Sequence, residues 1–112
     1  MRIAIPISNG RLHSHFGHCP AFAFVDIDPD AKTVLALREV AAPEHQPGLL
    51  PVWLRERGAN LVIAGNMGSR ARALFEAASV AVVTGAPEEE PQTLVREYLA
   101  GTLVTHENNC DH

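Results

Sequence analysis

The second half of the chain alternates short apolar runs with stretches of helix-forming residues. Residues 60–64 (NLVIA) and 79–84 (SVAVVT) are apolar almost throughout, which is typical of strands covered on both faces. Helical stretches precede, separate and follow these two runs, at 49–58, 69–78 and 91–100. Strands that are joined through helices run parallel, with right-handed crossovers. The alternation therefore predicts a parallel α/β unit.

The first half adds strands without helices. Residues 2–7, 21–28 and 33–41 have the composition of strands, and a Pro-Asp turn joins the last two into an antiparallel hairpin. The economical fold is one α/β domain whose mixed five-stranded sheet has the order 3-2-1-4-5, with strand 2 antiparallel. Open α/β sheets bind ligands beyond the carboxyl ends of the strands where the connections diverge, here between strands 1 and 4. The sequence thus predicts a site formed by loops 8–19 and 65–68.

Side chains that bind soft metals are concentrated in two short segments. The first is the run HSHFGHC in loop 8–19, and the second closes the chain. Their potential ligands are His13, His15, His18 and Cys19 in the first segment and His106, Cys110, Asp111 and His112 in the second. Imidazole nitrogen and thiolate sulfur hold zinc, copper and iron–sulfur species. Because loop 8–19 belongs to the predicted site, we expect metal chemistry there.

The other loop of the predicted site has the sequence Gly65-Asn66-Met67-Gly68 and directly precedes a helix. The backbone amides of such a turn, together with the positive end of the helix dipole, stabilise anions. We therefore expect these four residues to contact the anionic part of a ligand whose metal is held by loop 8–19.

The composition limits the class of protein. The 112 residues are 46% hydrophobic and 20% charged, which suits one domain with one core. The formal net charge is -4 and no basic stripe is present, so nucleic-acid partners are not expected. No apolar run approaches the roughly 20 residues of a membrane helix, no signal peptide precedes the first strand, and two cysteines cannot define a disulfide framework. We expect a cytoplasmic protein with reduced thiols and no membrane partner.

Short motifs occur in a characteristic order along nearly the whole chain. They are His15-Phe16-Gly17 after the first strand, the aromatic strand 22–28 that ends in Asp, VIAGNMGSRA at 62–71, VVTGAP at 82–87 and YLAGTLVTHENNCDH at 98–112. In order and spacing they resemble the dinitrogenase iron-molybdenum cofactor biosynthesis family, which comprises NifX-like domains, NifB carboxyl-terminal-like domains and the orange protein. Asn66 is the one departure of the third motif from the commoner Ala-Gly-Gly-Met-Gly form.

The resemblance implies a ribonuclease H-like three-layer α/β/α fold. It also implies a carrier that binds a metal-sulfur cluster or its precursor for metallocofactor assembly, of the iron-molybdenum, molybdenum-copper or iron-sulfur type. The usual candidate for the cluster site in this family maps onto His15, accompanied by Phe16 and Gly17. We expect one cofactor-binding domain over residues 1–101, a flexible tail over 102–112, metallocofactor assembly proteins as partners, and a monomer or weak homodimer.

The expected metal ligands differ in how well their context supports them. His15 and Cys19 are the first candidates, whereas His13 and His18 are helpers or bystanders, because their spacing matches no helix-borne or finger-type site. The alternative for Cys19 is a small buried residue at the start of the second strand. His45 follows the third strand at the same end of the sheet, and its alternative is a solvated loop residue.

The tail residues His106, Cys110 and His112 have two alternatives. Chain ends commonly fray, which would leave them without a role. Twelve extended residues, however, span up to roughly 40 Å, which is enough to reach loop 8–19 of the same molecule or of a partner.

Rival functions fit parts of the pattern. A ribonuclease H-like nuclease needs acidic residues around two metal ions, one of them on the first strand, and RIAIPI carries none. A nucleophile pair of Cys19 with His15 or His18 lacks a recognisable third, orienting group, so we expect no enzymatic activity. A zinc- or copper-binding regulatory module would use the same His/Cys loop, and a scaffold for partner proteins would use no metal.

Overall fold

The computed structural model describes residues 1–44, 46 and 48–106. Its elements are β1 (Arg2–Ser8), β2 (Arg11–Leu12), β3 (Ala21–Asp28), β4 (Thr33–Ala41), α1 (Leu49–Glu56), β5 (Leu61–Ile63), α2 (Ser69–Ala77), β6 (Ala81–Val83) and α3 (Pro91–Ala100). The helices and the longer strands begin and end within about two residues of the expected bounds, which is the usual scatter of such assignments. None of the helices within these ranges is long and apolar enough to cross a membrane.

The strands form one mixed sheet. Its path is β4-β3-β1-β5-β6, and β2 pairs with β1 off this path. β3 is antiparallel to both β1 and β4, whereas β5 is parallel to both β1 and β6. The expected mixed α/β fold is confirmed. Because β1, β5 and β6 run in the same direction, the loops that follow them meet at one edge of the sheet.

Residues 8–19 are not the simple loop that the sequence predicts. Asn9 and Gly10 have φ of 54° and 78°, the left-handed conformation of a two-residue hairpin turn. This turn pairs residues 11–12 with residues 7–8 in a short antiparallel ladder. The prediction was therefore wrong for β2, and the loop that carries the histidines begins only after it.

Helices cover both faces of the sheet. On one face α3 packs against alternate residues of β1, and the buried side chains there include Ile3, Ile5, Ile7, Leu94 and Val95. On the other face α1 and α2 pack against β3 and β5, and the buried side chains include Phe22, Phe24, Leu54, Val62 and Phe75. The alternation along each strand divides the core into two halves, one on each side of the sheet.

Beyond α3 the chain turns back toward the edge where β1, β5 and β6 end. Gly101 ends the helix in the left-handed conformation, with φ of 74°. The following segment returns as far as the loop after β6, where the His106 N–H donates to the Gly85 carbonyl oxygen at 2.7 Å. Residues 102–106, the return segment, therefore reach the end of the sheet at which a site was expected.

Candidate functional site

The loop that follows β2 comprises residues 13–20, and we call it the histidine loop. It lies against the turn between β5 and α2. His15 and Asn66 form an isolated parallel β-bridge. The Asn66 N–H donates to the Ser14 carbonyl oxygen at 2.8 Å, and the Phe16 N–H donates to the Asn66 carbonyl oxygen at 3.1 Å. The two loops that the sequence assigns to the site are thus in direct contact. They place the exposed His15 side chain on a stretch of backbone held by hydrogen bonds.

Gly65 allows this close contact. A Cβ atom at position 65 would lie 3.0 Å from the carbonyl oxygen and 3.1 Å from the Cα of Ser14. Both neighbours are backbone atoms, so they could not give way without moving the histidine loop. The absence of a side chain at Gly65 therefore sets the distance between the two loops.

Phe16 anchors the histidine loop to the core. Its ring meets Phe75 and Phe22 edge-on, with centroid distances of 5.4 Å and 6.2 Å. Such aromatic pairs contribute about 0.5–1.5 kcal/mol beyond the area they bury. Because neighbouring side chains of an extended segment point in opposite directions, the anchoring of Phe16 directs His15 toward solvent.

The other histidines of the loop differ in their relation to His15. His13 accepts a hydrogen bond at Nδ1 from the backbone N–H of His15, at 3.1 Å, and the two rings are 6.3 Å apart between centroids. His18 is exposed and its backbone N–H donates to the His15 carbonyl oxygen at 3.4 Å. His13 therefore helps to fix the backbone at His15 through its side chain, whereas His18 is joined to His15 through its backbone.

Cys19 lies in the core instead of at the surface. It is 8% exposed and belongs to the buried cluster that also contains Phe22, Met67 and Phe75. Burial raises the pKa of the Cys19 thiol to about 11. The thiolate is the form that binds metals, and this environment disfavours it. The structure thus supports the alternative interpretation of Cys19, a small buried residue just before β3. The side chain of Met67, which we expected at the site, is buried with it.

A polar cleft opens beside the His15–Asn66 bridge. It has a volume of about 320 Å³, and its lining residues are Ser14, Gly65, Asn66, Gly85, Ala86, Pro87, Glu88 and His106. The Gly85 N–H donates to the Gly65 carbonyl oxygen at 2.7 Å, which joins the loops after β5 and β6. The cleft therefore brings together all three loops of this edge and the return segment.

Gly85 is the residue that admits the return segment. Its φ is 80°, a conformation that favours glycine, and a Cβ atom here would overlap the His106 carbonyl oxygen. Neither Gly85 nor Ser14 was predicted individually as a site residue. A signal for Gly85 was present, because it is the glycine of the VVTGAP motif, whereas Ser14 has no such signal.

The first turn of α2 makes one side of this edge locally positive. Gly68 is the N-cap residue of α2, and none of the residues that the structure describes in its first turn is acidic. Arg70 and Arg72 are exposed near this end of the helix. The helix N-terminus and these two side chains attract anions. Glu88, on the far wall of the cleft, opposes this attraction.

The structure brings together some of the expected site residues and separates others. Within residues 1–44, 46 and 48–106, no group of three or more His, Cys, Asp or Glu side chains is arranged to hold a metal ion. His15, Asn66 and His106 belong to segments that meet at the sheet edge, whereas Cys19 is turned into the core. The backbone N–H of Asn66, which we expected to bind an anion, instead donates a hydrogen bond to the Ser14 carbonyl oxygen. His45, Cys110, Asp111 and His112 lie outside the described residues.

The comparison with protein families identifies the chain. The model of the dinitrogenase iron-molybdenum cofactor family matches residues 1–101. The chain belongs to this family, as its motifs predicted. It is also similar to the uncharacterized protein MJ0580 of Methanocaldococcus jannaschii, with 32% identity in an alignment 79 residues long that covers 68% of this chain and 67% of that protein.

Solved structures support the fold. The protein in the crystal structure of PH0822 has 30% sequence identity to this chain, and the two structures superpose with a TM-score of 0.86 over 94% of both chains. The apo form of the orange protein from Desulfovibrio gigas is 22% identical, with a TM-score of 0.75 over 96% of this chain and 93% of that one. At the latter identity the likeness concerns the fold alone.

Proposed function

We propose that this protein binds a metal-sulfur cluster, or a precursor of one, as cargo and passes it on during metallocofactor assembly. The observation that carries the proposal is the exposed His15, whose backbone is fixed by the bridge to Asn66, next to a cleft that Asn66 and His106 line. Membership of the dinitrogenase iron-molybdenum cofactor family supports cargo of this chemistry. The helices on both faces of the mixed sheet also support placing the chain among the ribonuclease H-like α/β/α folds.

His15 would act as the direct ligand. A neutral imidazole nitrogen donates its lone pair to iron, copper or molybdenum, and His15 is exposed, so a preformed cluster can approach it. Phe16 and the His13 acceptor hold the loop in place, so little order has to be gained on binding. A site with few neutral ligands suits a carrier, because the cargo can leave again.

The surroundings of His15 would favour an anionic cargo. The sulfide-rich surface of such a cluster carries negative charge, and the N-terminus of α2 with Arg70 and Arg72 attracts it. His106 would offer a second imidazole from the return segment. Its backbone bond to Gly85 is worth about 1 kcal/mol net, so the end of the segment at His106 can be displaced at low cost when cargo enters or leaves.

The cargo would be a cluster of the iron-molybdenum, molybdenum-copper or iron-sulfur type. The protein would carry out no catalytic step. The donor and acceptor of the cargo would be metallocofactor assembly proteins, with no role for nucleic acid or membrane, and the protein would work as a monomer or weak homodimer.

The test is reconstitution without oxygen. Protein purified anaerobically is mixed in turn with ferrous iron and sulfide, with molybdate, copper and sulfide, and with iron, molybdate and sulfide, and then desalted. We expect at least one mixture to give a protein-bound species with visible charge-transfer absorption and a fixed ratio of metal to protein. His15→Ala should lose it, whereas His18→Ala, which removes an exposed imidazole from the same loop, should retain it.

Two results would contradict the proposal. One is a protein that stays colourless in all mixtures but binds zinc or copper ions tightly, which would indicate the regulatory module instead. The other is a coloured species that His15→Ala binds as tightly as the unmodified protein.

A further inference from the structure

An apolar groove runs between α1 and α2 and shares no lining residue with the polar cleft. It consists of two recesses of about 150 Å³ and 270 Å³, which share Gly48, Pro51 and Leu74 and are therefore continuous. We call it the α1/α2 groove, and its principal lining residues are Phe16, Gly48, Pro51, Val52, Leu74 and Ala77. One end adjoins Phe16 and Gly17, next to His15.

Large apolar side chains of this groove face solvent. Val52 is 52% exposed and Leu74 is 39% exposed. The helices that form its walls have 8 and 9 residues, so at 1.5 Å per residue the groove is about 12–14 Å long. That length accepts two turns of a partner helix. Val52 and Leu74 are therefore the large apolar side chains that a docked helix would cover.

Two arginines lie along the helices that form the groove. Arg55 lines the groove directly, and Arg70 precedes Leu74 by one helical turn, on the same stripe of α2. The acidic residues of the two helices point elsewhere, because Glu56 is rotated by about 100° from Arg55 and Glu76 by about 200° from Leu74. Cationic side chains therefore flank the apolar floor.

This charge is opposite to that of the rest of the chain. Residues 48–78 contain four arginines and two glutamates, a net charge of +2, in a chain whose net charge is -4. The remaining residues thus carry -6. An acidic partner would be repelled by most of the protein and attracted to this face, which selects both the partner and its position.

From these observations we infer that the α1/α2 groove docks an amphipathic helix of a partner protein, with an apolar stripe flanked by Asp and Glu residues. Apolar contacts with Leu74 and Val52 supply the affinity, and Arg55 and Arg70 pair with the carboxylates. The tail of the chain itself does not fit, because residues 107–112 (ENNCDH) lack a large apolar side chain. That the docked partner exchanges cargo at His15 rests on the proposed function, whereas the docking itself does not.

The test uses the full protein, uniformly labelled with ¹⁵N and free of cargo, and two synthetic helical peptides. Both peptides carry leucines at helical spacing, with glutamates flanking them in one and lysines in the other. At an ionic strength of roughly 0.1 M, screening over about 10 Å suppresses the distant negative charges and leaves the nearby arginines to act, so we expect the glutamate peptide to bind about tenfold more tightly or better. The shifted amide resonances should belong to residues around Gly48, Val52 and Leu74.

Charge-reversed variants make the test specific. Arg55→Glu with Arg70→Glu should reverse the preference between the peptides. The matched control, Lys32→Glu with Arg96→Glu, changes the net charge equally on other surfaces and should leave the preference unchanged. Leu74→Ser should weaken both peptides, and His15→Ala should leave peptide binding intact. A failure of docking is therefore distinguishable from a failure of cargo binding.

The following results would overturn the inference. They are equal binding of the two peptides, resonance shifts outside the groove, an unchanged preference in the Arg55→Glu and Arg70→Glu variant, or no binding of either peptide. Light scattering on the protein alone measures whether it forms a dimer. If it does, and if Leu74→Glu dissociates that dimer, the groove binds a second copy of the chain and the inference is wrong.

Discussion

His15 and Cys19 lie in one loop, four residues apart, and both side chains bind soft metals, but the fold places them in opposite environments. His15 is exposed on a bridge to Asn66 at the sheet edge. Cys19 is buried among aromatic residues just before β3, with a thiol pKa raised to about 11. The comparison teaches that ligand type and sequence proximity do not define a site. The pairing register of the backbone decides which side chain reaches a ligand.

The largest difference between His15 and Cys19 is expected when both positions receive the same substitution. Cys19→Asp would bury a carboxyl group among apolar side chains, and we expect it to lower the free energy of unfolding by about 3 kcal/mol or more. His15→Asp changes an exposed position and should alter it by no more than about 0.5 kcal/mol. Urea denaturation of both variants measures the difference. Similar losses at the two positions would show that the assigned environments are wrong.

A second prediction concerns pH. The Cys19 thiol has an ordinary pKa of 9.0 and a folded-state pKa of about 11, because burial disfavours the thiolate. Between these values the unfolded state loses the proton first, so stability falls as pH rises from 9 toward 11. The contribution of Cys19 to this fall should be at most about 2–3 kcal/mol.

The measurement compares unfolding at pH 8 and at roughly pH 10.5, between the two pKa values, for the unmodified protein and Cys19→Ala. We expect the fall to be smaller in Cys19→Ala, since other titrating groups contribute equally to both. Slow alkylation of Cys19 at pH 8 in a Cys110→Ser background gives an independent check. Equal pH dependence together with fast alkylation would place Cys19 at the surface.

A smaller effect is expected at His13. Its Nδ1 accepts the backbone N–H of His15, and loss of such a bond typically costs about 1 kcal/mol. His13→Ala should therefore weaken cargo binding several-fold without abolishing it, and His18→Ala should have a smaller effect. Titration with the coloured cargo measures both. If His13→Ala abolishes binding as completely as His15→Ala, then His13 is itself a ligand and not a residue that positions His15.

Much of the fold was predictable because it depends on local pattern. The apolar runs of β5 and β6 and the helical spacing of α1 are visible in the sequence, and the direction of the parallel strands follows from their helical connections. β2 was missed although Asn9-Gly10 is a strong hairpin signal. The polar residues around that turn and the shortness of the strand concealed its pattern.

The candidate site was predictable only in part. The topology of the sheet predicted the edge at which the loops of His15 and Asn66 meet, and the motif indicated His15 as the candidate ligand. The direction of Cys19 was not predictable, because it depends on how the chain enters β3. The position of His106 depends on the path of the return segment and on its contact with Gly85, which the length of the tail permits but does not specify.

The central claim is that His15, and not Cys19, holds the cargo. The most direct measurement is the dissociation constant of the reconstituted coloured cluster for the unmodified protein, His15→Ala and Cys19→Ala, measured side by side without oxygen on folded protein. We predict that His15→Ala weakens binding by at least about tenfold, or roughly 1.4 kcal/mol, and that Cys19→Ala binds as the unmodified protein does. Loss of binding in Cys19→Ala with normal binding in His15→Ala would contradict it.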